Sequence, residues 1–371
     1  MAKPIFELLK ATVEADASDL HITTYIPPRV RVHGLLKDLD HPSLTPSETK
    51  EVIYSIMTDK QKRQFEEKLE IDFSFGVKEL GRFRANVFMQ KGAVAGAFRR
   101  FLPSMWSFAQ LGIPRRVQQL CYLPRGLVLV TGPTGCGKST TLACMIEHIN
   151  SERAVHIVTI EDPIEYYLSP RKAIINQREL YADTQSYGNA LRSVLREDPD
   201  VVLVGEMRDL ETVEACLRVA ETGHLTFSTL HTNSAVESIS RIIDIFPSQY
   251  QTQVRIMLSM SLEAVLTQAL LPRADGKGRV LAMEILIPNP AIRNLIRENK
   301  IHQIYSSMQM GQEKFGMQTF NQSLASLYYR KLVTLDMVMA MTSFPEELTD
   351  IIQRHDGVKI TPGGAAGLSR K

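Results

Sequence analysis

Cysteine is scarce in this chain, four in 371 residues, and no two of them form a C-x-x-C pair. Cys121, Cys136, Cys144 and Cys216 therefore do not read as a zinc module or a disulfide framework; they read as reduced, structural thiols. No apolar run approaches the ~20 residues that a membrane-spanning helix needs, and the opening Met1-Ala2-Lys3-Pro4-Ile5-Phe6-Glu7 has no signal-peptide core. The expected location is the cytosol, with any membrane contact made through partners and no direct insertion. An excess of charge of one sign is also missing. A net charge of +2 denies the chain the general electrostatic grip of a nucleic-acid binder, and no aromatic-basic stripe makes up for it, so no nucleic-acid partner is expected.

What is present is ordinary globular composition, 44% hydrophobic and 23% charged, at a length that suits two domains. Ile5, Leu8, Leu9, Thr12 and Val13 mark one face of an opening helix. Strand-like alternation follows at Val30 and Val32, broken by Gly34. Thr45-Pro46-Ser47-Glu48 is a capping box with proline at the first helical position, and predicts a helix running to Ile56. Strand candidates at 71–75, 82–88 and 93–101 complete a small α/β domain over residues 1–101 with a mainly antiparallel sheet. Pro103, Gly112 and Pro114 interrupt the periodicity, which places a linker at 102–115. From Gly126 strands and helices alternate (strands at 127–130, 155–160, 201–204 and 225–229), the pattern of a largely parallel sheet covered on both faces. After Ser248 the chain reads as mostly helical. The second domain thus covers 116–358, and the glycine-rich 359–371 reads as a disordered tail.

Gly132-Pro133-Thr134-Gly135-Cys136-Gly137-Lys138-Ser139 fits G-x-x-x-x-G-K-[ST] in full, with an apolar strand before it and a helical run from Thr140 after it. In such a loop backbone N–H groups converge on phosphate oxygens, and the helix N-terminus adds partial positive charge. Lys138 is expected to reach the β- and γ-phosphates of ATP and the Ser139 hydroxyl to hold Mg²⁺. The strand Val201-Val202-Leu203-Val204 runs into Gly205 and Glu206, so Glu206 stands where a Walker B acid would orient the same metal. A second apolar strand runs into Glu161-Asp162-Pro163-Ile164-Glu165, one of whose carboxylates would polarise the attacking water.

Taken together these motifs resemble the secretion-type ATPases of the type II secretion and type IV pilus systems. Residues 161–165 look like that family's Asp box, 205–209 like its Walker B element, and 220–232, with His224 and His231, like its His box. Ala291-Ile292-Arg293-Asn294-Leu295-Ile296-Arg297-Glu298 is similar to a signature of the pilus-retraction group, and 316–320 also fits. The absence of a tetracysteine module favours retraction motors over extension motors, while 319–354 also resembles the accessory retraction ATPase. The resemblance implies a PAS-like amino-terminal domain and a RecA-like P-loop domain with helical C-terminal extension. It also implies a homohexamer driving pilus disassembly for twitching motility, docked on an inner-membrane platform protein. It makes Glu165 the general base, Glu206 the Walker B acid, and His224 and His231 the γ-phosphate and coupling sensors. Without it, both histidines read as ordinary core or surface side chains. A nucleotide-switched scaffold and a nucleic-acid translocase are the competing classes; a base beside Glu206 argues against the first, and the charge against the second.

Two arginine sets complete the expectations. Arg82 and Arg84 lie two apart on one face of a strand, and Arg99 and Arg100 end the next without a neighbouring acid, which suits charge neutralisation at another subunit's ATP as well as plain solvation. Arg293 and Arg297 share a helix face with no acid at 289 or 301, and suit an acidic surface outside their own domain. Lys138→Ala is expected to abolish ATP hydrolysis with folding intact, and Glu165→Gln to retain ATP binding but lose turnover. A phosphate-release assay checks both, and a larger loss from Glu161→Gln would move the base by four residues.

Overall fold

The computed structural model describes residues 4–32, 34–101, 105–310 and 315–356. The chain forms two compact units, Met1–Ser104 with Pro163–Tyr167, and Met105–Asp162 with Leu168–Lys371.

The first unit is a six-stranded antiparallel sheet built from β1 (Asp19–Ile22), β2 (Arg29–Val32), β3 (Leu35–Asp38), β4 (Glu70–Val77), β5 (Gly81–Gln90) and β6 (Ala93–Arg100), in the order β3-β2-β1-β6-β5-β4. Three helices accompany it. Ile5–Glu14 buries the Ile5, Leu8, Leu9 and Thr12 stripe, and Pro46–Tyr54 carries the complete Thr45/Glu48 capping box. The third, Asp59–Lys68, and the short strands β1 and β3 carried no periodicity strong enough to announce them. Leu9, Leu20, Ile53, Phe65, Phe83 and Phe98 fill the core.

The second unit holds a seven-stranded sheet of β7 (Gly126–Thr131), β8 (His156–Glu161), β9 (Ile174–Glu179), β10 (Val201–Val204), β11 (Leu225–Leu230), β12 (Leu262–Pro272) and β13 (Arg279–Leu286). Its order is β13-β12-β7-β11-β10-β8-β9, parallel except for β13. Every residue of β7, β10 and β11 is buried, as strands sandwiched between helix layers must be. Apolar clusters lie on both faces. All four cysteines are buried and unpaired; burial pushes Cys121 up to about 12 and Cys144 up to about 11, so both are inert thiols.

After Ser248 the chain is mostly helical, as its pattern suggested, but the helix Ser248–Ser261 first leads straight into the long hairpin β12–β13, which the pattern did not announce. Leu262-Glu263-Ala264-Val265-Leu266-Thr267-Gln268 is rich in helix formers, and only pairing with β7 on one side and β13 on the other makes it a strand. Within the expected linker Phe108–Leu111 is helical under a Ser107/Gln110 capping box, and Arg115–Gln119 follows. Residues 102–104 and the expected tail 359–371 lie outside the described residues. No described helix is long and apolar enough to cross a membrane.

Phe98 is fully buried and packs edge-on against Phe75, whereas Leu36 is 47% exposed on β3. Phe98→Ala is expected to destabilise the first unit by ~3–5 kcal/mol and Leu36→Ala by no more than about 0.5 kcal/mol. Urea midpoints of the two variants check the contrast.

Candidate active site at the carboxyl ends of the parallel strands

The register of the sheet assembles the site. Thr131 of β7 lies beside Leu230 of β11, and Val204 of β10 beside Ser228 of β11. The residue after β7 is therefore the first of the phosphate loop, the residue after β11 is His231, and Glu206 comes level with them two residues beyond β10. Gly205 is fixed between its neighbours: its N–H donates to the Ile160 carbonyl at 2.8 Å, and its carbonyl accepts from the Thr229 hydroxyl at 2.6 Å.

The loop itself depends on glycine. Gly132 has φ of 135°, and a Cβ there would stand 2.3 Å from the Gln268 carbonyl oxygen. Gly137, also at positive φ, precedes the helix Lys138–Glu152, whose first-turn N–H groups point toward the loop. Lys138 Nζ donates to the Gly132 carbonyl at 2.8 Å and to the Pro133 carbonyl at 3.2 Å, and lies 3.3 Å from His231 Nδ1. His231 Nε2 is 3.1 Å from Glu206 Oε1, and Glu206 Oε2 pairs with Arg208 at 2.8 Å. An ammonium only donates and a carboxylate only accepts, so these contacts are satisfied by the tautomer of His231 carrying its proton on Nε2. Burial would raise the Glu206 carboxyl, but the Arg208 and His231 contacts outweigh it and hold the group below the usual carboxylate range. A charged chain Lys138–His231–Glu206–Arg208 thus borders the loop.

Other expected residues are placed differently. His224 precedes β11 while His231 follows it, and six strand residues separate them by roughly 20 Å. His224 Nδ1 lies 3.0 Å from the Val219 carbonyl, at the carboxyl end of the helix Leu210–Glu221, so within one subunit it is not brought to the phosphate loop. Glu161, the last residue of β8, accepts from the Thr159 hydroxyl at 2.7 Å and from the Gln177 amide at 3.3 Å. Glu165 falls in Pro163–Tyr167, which groups with the first unit. There Arg82 hydrogen-bonds Ser74 and lies 4.0 Å from the Tyr167 ring centroid, and Arg84 is bidentate to Asp72. Arg99 and Arg100 do have acids: Asp19 at 2.9 Å and Asp16 at 3.4 Å. Sequence distance hid both, since β1 and β6 are neighbours only in the sheet.

The helix Pro290–Arg297 forms as its pattern suggested, capped by Asn289 and burying Ile292 and Ile296. Arg293 does meet an acid, on β12 rather than on its own helix. Its guanidinium pairs with Glu263 at 2.9 Å and donates to the Ser259 and Met260 carbonyls at 2.9 and 3.1 Å. It locks the end of Ser248–Ser261 to β12, an internal duty that the expected outside surface would have to displace.

Gln268 is a site residue that the motifs do not reveal. Its amide donates to the Cys136 carbonyl at 2.8 Å and its oxygen accepts from the Thr141 hydroxyl at 3.0 Å, clamping the loop to the helix behind it. The one signal is a polar pair, Thr267-Gln268, inside an apolar run. Arg208 was likewise visible only as part of a motif.

The arrangement, a phosphate-binding loop at the carboxyl edge of a parallel sheet with an acid two strands away, defines a P-loop nucleotide-binding protein. The family Type II/IV secretion system protein matches residues 1–328, and the chain belongs to that family. It is 47% identical over 342 residues to the type IV pilus retraction ATPase PilT of Pseudomonas aeruginosa, covering 92% of this chain and 99% of the relative. It is 48% identical over 333 residues to a twitching motility protein of Neisseria gonorrhoeae, covering 90% and 89%. Identity to the type IV pilus ATPase PilU of P. aeruginosa is 38% over 347 residues, covering 94% and 91%. A crystal structure of the pilus retraction motor PilT with bound ADP superposes with a TM-score of 0.87 at 54% identity, covering 93% of this chain and 98% of that one.

Gln268→Ala is expected to raise KM for Mg-ATP about tenfold, because losing both bonds leaves the Cys136 carbonyl and the loop less ordered. Steady-state phosphate release across ATP concentrations checks this; an unchanged KM would remove Gln268 from the site.

Proposed function

We propose that this chain is an ATP-hydrolysing motor that drives retraction of type IV pili and so supports twitching motility. The observation that carries the reading is the Lys138–His231–Glu206 chain beside a complete phosphate loop, in a protein alike over nine tenths of its length to a pilus retraction ATPase. A pure nucleotide-switched scaffold has no need of it.

In this reading residues 132–137 and the N–H groups opening the helix Lys138–Glu152 hold the β- and γ-phosphates, with Thr134 and Thr140 flanking them. Ser139 and Glu206 hold Mg²⁺. Among the described residues no three His, Cys, Asp or Glu side chains form a cluster able to bind a metal alone, which fits an ion shared with phosphate oxygens. Lys138 neutralises charge on the leaving side. Glu165 takes the proton of the attacking water, and His231, already joined to both Lys138 and Glu206, registers whether the γ-phosphate is there. His224 acts away from this centre. Arg82, Arg84 and Arg99 act in trans in a homohexamer, docked on the inner-membrane platform protein of the pilus assembly. Identity is higher to the retraction ATPase than to PilU, which favours the main motor over the accessory one.

Deleting the gene is expected to leave cells that carry pili but do not twitch, and complementation with Lys138→Ala should fail to restore movement. Loss of surface pili in the deletion strain would instead make the protein an assembly motor.

A further inference from the structure

A cavity of about 550 Å³ lies within the second unit, walled by Pro133 of the phosphate loop, by Asn233 and Ser234, and by Glu284, Tyr305 and Phe344. Glu284 is the unusual member of this wall. It stands on β13, is 2% exposed, and its carboxylate accepts the backbone N–H of Ala235 at 2.6 Å. Ala235 is the first residue of the helix Ala235–Asp244, four residues beyond His231. The intervening turn is also tied from its own helix, with the Thr232 and Ser238 hydroxyls 2.6 Å apart and the Asn233 N–H donating to Glu237 at 2.8 Å. Glu284 adds a tie from the sheet.

A buried carboxylate is expensive, and hydrophobic packing alone would not select one. What an ionised carboxylate supplies here is a charge-assisted bond to a helix N-terminus, which carries partial positive charge. A protonated carboxyl is a weaker acceptor. Among the described residues, the groups facing Glu284 are the Thr267 hydroxyl from β12, the Glu347 carboxylate from the helix Pro345–Asp356, His302 from the turn Ile301–Gln303 and Tyr305 from the first turn of the helix Ile304–Met310. Glu347 is itself taken up by Tyr305 at 2.6 Å and by Asn321 and Gln309 at 2.8 Å. Burial is the largest influence on Glu284 and pushes its carboxyl up to about 7, against the Ala235 and Thr267 bonds, with Glu347 adding to the rise.

We propose that Glu284 is a positioning residue for ATP turnover: when ionised it holds the amino end of the helix Ala235–Asp244, and through it His231, in the working position. The inference rests on the role given to His231 above. Its two pH dependences have opposite signs. The hold on the turn is present above about pH 7 and weakens as pH falls through that value. The contribution to stability is fully present below the unfolded carboxyl value of 4.5 and is lost as pH rises to about 7, because the folded value is the higher one. Stability is therefore given up near neutral pH for an ionised group, which a purely structural residue would not require.

The test measures kcat and KM for Mg-ATP with the full-length protein from about pH 5.5 to about pH 8.5, the window around the shifted carboxyl. Wild type, Glu284→Gln, Glu347→Gln and His231→Gln are compared, with melting temperatures at each pH. Glu284→Gln keeps the shape of the side chain but not its charge. It is expected to lower kcat at high pH roughly tenfold with KM within about twofold. It should erase the part of the kcat profile that bends near neutrality, and at pH 8 melt no lower than wild type. Glu347→Gln removes a like charge and should move that bend to lower pH. The inference is overturned if Glu284→Gln keeps the wild-type kcat and bend, or if its kcat and melting temperature fall together at every pH. If His231→Gln turns over as fast as wild type, the reading of His231 fails first, and a pH effect of Glu284→Gln would then have to reach the site by another route, which overturns this one too.

Discussion

Everything at the nucleotide site depends on one constraint, the in-register ending of parallel strands β7, β10 and β11. Hydrogen bonding between β7 and β11 sets Thr131 against Leu230, and pairing of β11 with β10 sets Ser228 against Val204. A slip of one residue would turn the fully buried strand faces over, so the apolar packing on both sides enforces the register that the chemistry needs. Lys138, His231 and Glu206 then meet without any long loop to place them. Their separation from one another in sequence is large, yet each is at most seven residues from a rigid strand end.

The same constraint decides what is fixed and what is adjustable. The backbone of the phosphate loop is clamped by Gln268 and by the close approach of Gly132 to β12. The side-chain chain through His231 is lighter, made of contacts between partly exposed groups, and a phosphate entering beside Lys138 would compete directly for it. Glu284 sits between these two regimes: a buried carboxyl on the sheet, bonded to the helix that begins four residues after His231.

The arginines of the first unit fit a similar logic. Arg99 pairs with Asp19, yet its side chain keeps 66% exposure, and Arg84 and Asp72 are both about two-fifths exposed. An exposed pair such as Arg84–Asp72 contributes about 0–1 kcal/mol, whereas Asp19 is buried at its end of the Arg99 pair. An intramolecular partner at the former level does not prevent an arginine from turning to a triphosphate, so the Arg84 pairing is compatible with action on a neighbouring subunit. Arg293 is the contrasting case, held by an acid and two carbonyls at the end of a helix. Its position on a helix face shared with Arg297 says little about a partner once those bonds are counted.

Local physics wrote much of this protein into its sequence. The glycine spacing before Lys138 demands positive φ and a close backbone approach, the largely apolar runs at β7 and β10 demand burial on both faces, and Thr45 and Asn289 cap the helices that follow them. These are short-range requirements, satisfied within a few residues, so they are legible one segment at a time. What tertiary structure alone decided involves partners far apart in the chain. The β12 segment is a strand because β7 and β13 flank it, despite helix-forming composition. Asp19 meets Arg99 across eighty residues, and Glu263 meets Arg293 across thirty. Gln268 clamps a loop more than a hundred and thirty residues earlier, and Glu284 reaches a helix start forty-nine residues away. His224 and His231, near neighbours in one motif, are sent to opposite ends of a strand because an extended chain advances ~3.3 Å per residue. Hydrogen bonds and charges act over a few ångströms, and only the fold determines which residues come that close.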